Sequence, residues 1–131
     1  MITKNELLEL PKKIQDLEKA RARVRGMRDR LTSPQGFDSR ERVQSSGSQQ
    51  AELVDYMIDE EEKIKAREAE IEDLRKGARA LFRNLKAEDK LFMTMRYISG
   101  MGWSSVSKFM YYSPATVYRK NREILEQLFK E

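Results

Sequence analysis

Cysteine and histidine are both missing from the 131 residues. Without cysteine there is no disulfide and no thiolate nucleophile or ligand, which fits a reducing compartment. Without histidine the commonest general base and the commonest zinc ligand are gone. A Ser-His-Asp triad, a Cys-His pair and a zinc finger are therefore excluded. Proline and glycine are scarce, three and six residues. No 18 apolar residues follow one another, so no segment reads as a membrane span. Met1 to Leu10 lacks a long apolar run, and no signal peptide is expected. What remains is 37% charged and 39% hydrophobic, a balance that favours helices with polar outer faces over sheets.

The net charge of +4 hides a strong pattern. Residues 1–31 carry nine basic and five acidic groups, residues 32–50 two of each, residues 51–76 five basic and ten acidic, and residues 77–131 ten basic and five acidic. The chain reads as a basic arm, a neutral linker, an acidic arm and a basic tail.

In the first arm, residues 1–31, Leu10, Ile14, Leu17, Val24 and Leu31 follow a 3.5-residue repeat along one helix face. Pro11 fits best in a first helical turn, so the regular helix is expected to begin near Leu10. The second arm, residues 51–85, has one seam row at Met57, Ile64, Ile71, Ala78 and Leu85. Its other row is Leu53, Glu60, Arg67, Leu74 and Leu81. Each arm has only one narrow apolar stripe and needs a partner. Their opposite charges favour antiparallel pairing with each other, and a homodimer through the arms is the competing arrangement. The linker, Thr32 to Gln50, holds Pro34, Gly36, Ser39, Ser45, Ser46, Gly47 and Ser48 and is expected to break both helices.

From Ala87 the pattern changes. Glu88 and Asp89 suit a helix N-terminus, and Leu91, Phe92, Met95 and Ile98 recur at helical spacing. Gly100-Met101-Gly102 breaks the chain. Trp103 to Met110 reads as a short helix with Val106, Phe109 and Met110 inward. Ser113-Pro114 then opens a third helix, serine as cap and proline at its first position. Val117, Asn121, Ile124, Leu125 and Leu128 mark its inner face. This is helix-turn-helix spacing. The residues expected on the outer side, Ser113, Ala115, Thr116, Tyr118, Arg119, Lys120 and Arg122, are the candidate DNA-binding set. Cations there neutralise phosphates and reach base edges, while small residues let the helix tip approach the bases. Met93, Met95, Met101 and Met110 read as core filler, and Trp103 as a core plug. Tyr111 and Tyr112 either cover the core edge or meet phosphates.

Several of these residues also carry a resemblance. Leu85, the acidic pair, Leu91 to Tyr97, the glycine turn, Trp103-Ser104-Ser105-Val106-Ser107, Ser113 to Val117 and Ile124-Leu125 together resemble region 4 of the sigma-70 family of bacterial RNA polymerase factors. Ser107 stands where that family usually has alanine. Glu41-Arg42-Val43-Gln44-Ser45-Ser46-Gly47, between charged arms, is similar to a family of small sigma-70-like late transcriptional regulators. These are encoded by phages and prophages of Gram-positive bacteria. The resemblance implies an all-α chain: a long antiparallel coiled-coil hairpin, then a helix-turn-helix domain over residues 86–131. It implies double-stranded DNA as partner, host RNA polymerase as a second one, residence in the bacterial cytoplasm, and no cofactor.

Two functions follow as expectations. One is a transcription regulator reading promoter or operator DNA with its C-terminal helix. The other is a coiled-coil adaptor that docks on polymerase or another regulator without sequence-specific DNA binding. An enzyme is not expected. The acidic run Asp59 to Glu62 points around a helix rather than converging on a metal, and no glycine-rich phosphate loop is present.

Overall fold

The computed structural model describes residues 1–32 and 39–130, with side chains for 1–32 and 50–130. Among the described residues all regular structure is helical. The helices are α1 (Lys4–Thr32), α2 (Ser39–Phe82), α3 (Ala87–Met93), α4 (Trp103–Met110) and α5 (Pro114–Leu128), with a π-helical turn at Thr94–Ile98 directly after α3. None is long and apolar enough to cross a membrane. The chain divides into two compact units, Met1–Gln15 with Glu70–Glu131, and Asp16–Ala69.

Helix α1 starts at Lys4, not near Leu10, and Pro11 lies inside it. A reciprocal capping box explains the early start. The Thr3 amide donates to Glu6 Oε1 at 3.0 Å and the Glu6 amide donates to Thr3 Oγ1 at 3.1 Å. The hydrogen bond from the Thr3 backbone, then that with its side chain, holds the Glu6 carboxyl below its usual value. Pro11 removes one helical hydrogen bond, but it is buried with Leu7, Leu10 and Ile14 on one face. Burying that face outweighs the single lost bond.

Helix α2 begins at Ser39 rather than at residue 51. Serine and glycine cost a helix only about 1 kcal/mol or less each, so residues 39–50 need not break it. The side chains of the 41–47 motif lie outside the described residues. In the second arm the row Met57, Ile64, Ile71, Ala78, Leu85 is covered, with Met57 half-buried and the rest buried. The other row departs from expectation: Leu53 and Arg67 are exposed, Glu60 is buried, and Leu74 and Leu81 are half-buried. An α-helix turns once in 3.6 residues, so a strict 3.5 repeat drifts around the cylinder; burial has moved from Leu81 to Phe82.

Within the unit 16–69, Leu17, Ala20, Val24 and Ile64 are buried. Its ion pairs include Arg21 with Glu68 at 2.7 Å, Arg28 with Glu61, and Lys63 with the buried Glu60 at 3.5 Å. Hydrogen bonding to Glu68 raises the already high pKa of Arg21.

In the other unit, Phe82, Leu85, Phe92, Met93, Met95, Tyr97, Ile98, Val106, Val117, Ile124 and Leu125 form the core. Its rings are linked: Tyr97 lies 6.4 Å from Phe82 and 6.3 Å from Trp103, and Phe92 lies 6.1 Å from Trp103 and 6.2 Å from Tyr112. The helix boundaries at 87, 103, 110 and 114 agree with the sequence reading. Three inward assignments do not hold. Phe109 is 60% exposed, Leu91 45% exposed, and Met110 only half-buried. The eight residues of α4 bury Val106 completely and nothing else, and the side next to Val106 is taken by Ser107, whose hydroxyl donates to the Tyr112 carbonyl at 2.6 Å.

The break after the π-helical turn is fixed by Gly100, which has φ +74° and receives the Gln15 side-chain amide on its carbonyl at 3.1 Å.

Candidate nucleic-acid interface

Helix α5 is started by its own sequence. The Thr116 amide donates to Ser113 Oγ at 3.2 Å, and Pro114 sits at the first turn, where its missing amide hydrogen costs nothing. The two hydroxyls of Ser113 and Thr116 are 2.9 Å apart. One face of α5, Val117, Ile124 and Leu125, is buried. Asn121 locks the rotation: its Oδ1 accepts from the Tyr97 hydroxyl at 2.6 Å. That leaves Ala115, Tyr118, Arg119 and Arg122 exposed, with Ser113 at the tip and Thr116 half-buried.

The seven candidate residues do not share one environment. Arg119 has only Glu123 nearby, at 3.6 Å and exposed, a weak pair. Tyr118 is exposed but rests on Trp103, centroids 6.1 Å apart. Lys120 turns inward. Its Nζ is 3.3 Å from Asp89 and 3.8 Å from Glu88, and 5.3 Å from the centre of the Tyr112 ring. Burial pulls its pKa down, but hydrogen bonding to Asp89 and the nearby negative charges more than offset that, so the ammonium is held charged. The Tyr112 hydroxyl bonds Glu88, which raises its pKa. Lys120 and Tyr112 thus tie α5 to the start of α3, whereas Tyr111 stands 95% exposed in the left-handed conformation that ends α4.

Trp103 is only half-buried, and its second face carries Arg96, whose guanidinium carbon lies 4.3 Å from a ring centre. Arg96 Nη1 donates to the Met101 carbonyl at 2.9 Å, while its buried Nε has no partner. Burial lowers the Arg96 pKa.

Between α4 and α5 lies a cavity of about 370 Å³ walled by Trp103, Ser104, Ser107, Lys108, Pro114, Val117 and Tyr118. Ser104 and Lys108 are exposed members of this surface that the sequence reading passed over. Their four-residue spacing on α4 was the available signal. Among the described residues no cluster of acidic side chains suits a metal ion. No family model, no curated protein and no solved structure matches the chain.

The Tyr97–Asn121 bond yields a pH prediction. Burial raises the Tyr97 pKa above the ordinary 10.0, more than Arg96 and Asn121 lower it. A group that holds its proton harder when folded contributes stability that is intact below the unfolded value and lost as pH rises through the folded one. Urea denaturation of the native protein against Tyr97→Phe should show an advantage of about 1 kcal/mol at neutral pH. That advantage should close above pH 10, where Lys13 and Lys120 titrate equally in both proteins.

Proposed function

We propose that the protein is a DNA-binding transcription regulator in which α4, the turn 111–113 and α5 act as a helix-turn-helix of the sigma-70 region 4 type. Helix α5 enters the major groove. Arg119 and Arg122 contact phosphates and base edges, Ala115, Thr116 and Tyr118 assist at the tip, and Ser113 anchors it. Lys120 serves this face indirectly, by fixing α5 against Asp89 and Glu88. The observation that carries the reading is the division of α5 into a locked inner face, pinned by Asn121, and an outer face with two accessible arginines. Helices α1 and α2 are read as the antiparallel hairpin. The pairs Arg21–Glu68 and Arg28–Glu61 support this, since they step up one helix as they step down the other.

Selection from random double-stranded DNA, followed by titration of the recovered site, tests the reading. Arg119→Ala with Arg122→Ala should weaken binding at least about tenfold and reduce the salt slope by about one per lost phosphate contact. Both should occur with the circular dichroism spectrum unchanged. Unaltered affinity would remove α5 from the interface.

A second reading, an adaptor that docks on RNA polymerase or another regulator, is favoured by Phe109 and Tyr111, which are 60% and 95% exposed. Polymerase capture that survives the double arginine variant but fails for Phe109→Ser with Tyr111→Ser would select it.

A further inference from the structure

Cations on α2, outside the surface discussed above, build a second polar feature. Lys76, Arg79 and Arg83, joined by Lys90 of α3, rim a cleft of about 450 Å³ whose floor includes Phe82 and Ile98. Lys76, Arg83 and Lys90 are exposed, and Arg79 has a loose surface pair with Glu72 at 3.3 Å. Such a cleft fits an acidic helix with large apolar side chains.

The chain carries a matching segment in its other compact unit. Asp55, Asp59 and Glu62 are exposed at steps of four and three on α2. They are flanked by Tyr56 and Ile58, which are 51% and 46% exposed. Lys76, Arg79 and Arg83 step by three and four. In an antiparallel register Lys76 therefore meets Glu62, Arg79 meets Asp59 and Arg83 meets Asp55, with no gap or slip. Each stripe covers about 10 Å of helix. Like-signed residues line each stripe, so neither is satisfied by its own neighbours.

We infer that the basic cleft receives the acidic stripe of a second copy of this chain. Antiparallel pairing is reciprocal: where Lys76 of one chain meets Glu62 of the other, the reverse contact follows in the same register. The assembly closes at two copies rather than growing. The partner is chosen by charge order, and the exposed apolar side chains lose water on contact. This inference does not rest on DNA binding.

Sedimentation velocity of the full chain over a concentration series, without DNA, tests it. The native protein should show a reversible monomer–dimer equilibrium that weakens as salt is added. Lys76→Glu, Arg79→Glu and Arg83→Glu together should lower the association constant at least about tenfold. Asp55→Lys, Asp59→Lys and Glu62→Lys together should do the same. An equimolar mixture of the two variants should regain association, since every pair is then restored with its sign reversed. A native protein monomeric at all concentrations overturns the inference even if a variant misfolds, and so does a mixture no more associated than its components. Cleft variants that lose DNA affinity while the native protein stays monomeric would reassign the cleft to nucleic acid and overturn it too.

Discussion

Phe92→Ala is expected to destabilise the protein by about 3–5 kcal/mol, the usual cost of removing a buried phenylalanine when its surroundings cannot collapse. Phe92 is fully buried. Its ring packs against Trp103 on one side and Tyr112 on the other. Removing it unseats two residues that set the functional surface: Trp103 supports Tyr118, and Tyr112 lines the position of Lys120. The loss should appear in urea denaturation, and Phe109→Ala should serve as its contrast. Phe109 is aromatic and nearby in sequence but exposed, so its truncation should cost no more than about 0.5 kcal/mol. Equal costs at the two positions would contradict the burial pattern on which α5's orientation depends.

Gly100→Ala should cost about 2–4 kcal/mol, from two separate sources. The backbone at Gly100 has φ +74°, which L-residues with a Cβ rarely adopt. The added Cβ would also stand 2.6 Å from Ile14 Cγ2 and 3.0 Å from Ile14 Cβ, closer than carbon atoms pack. Ile14 is buried and cannot simply turn away. A double-mutant cycle with Ile14→Ala separates the sources. The steric part should disappear in the Ile14→Ala background and the conformational part should persist. Gly26→Ala is the opposing control. A Cβ there meets nothing within 4 Å, and the residue lies inside α1, so stability should rise by about 0.5–1 kcal/mol. Thermal denaturation of the three variants decides all of this.

Local chemistry was the part of the fold that could be read directly. Ser113-Pro114 states a helix start through its cap and its missing amide hydrogen, and Gly100 to Gly102 states a break; α4 and α5 fall where those signals put them. The buried row from Ile64 to Leu85 was legible because each member is apolar at heptad spacing. Harder to read was anything set by distant partners. Pro11 is carried inside α1 by burial and by a capping box whose Thr3 and Glu6 look unremarkable in a charged stretch. Phe109 and Leu91 obey the helical period yet face outward, because hydrophobicity does not say which flank of a short helix its neighbours will cover. In the candidate site, Arg119 and Arg122 are exposed as their spacing implied. Lys120 could not be separated from them by composition, since its inward turn depends on Asp89 and Glu88, thirty residues earlier.

The π-helical turn at Thr94–Ile98 has a consequence for how the chain tolerates change. Its wide coil holds one residue more than an α-helical turn would, and Met95, Tyr97 and Ile98 are all buried there. Excising any single residue of this turn would let the segment relax into uniform α-helix and swivel everything downstream by about 100°. The Tyr97 hydroxyl would then sweep away from Asn121, and insertions or deletions here should be worse tolerated than most point substitutions.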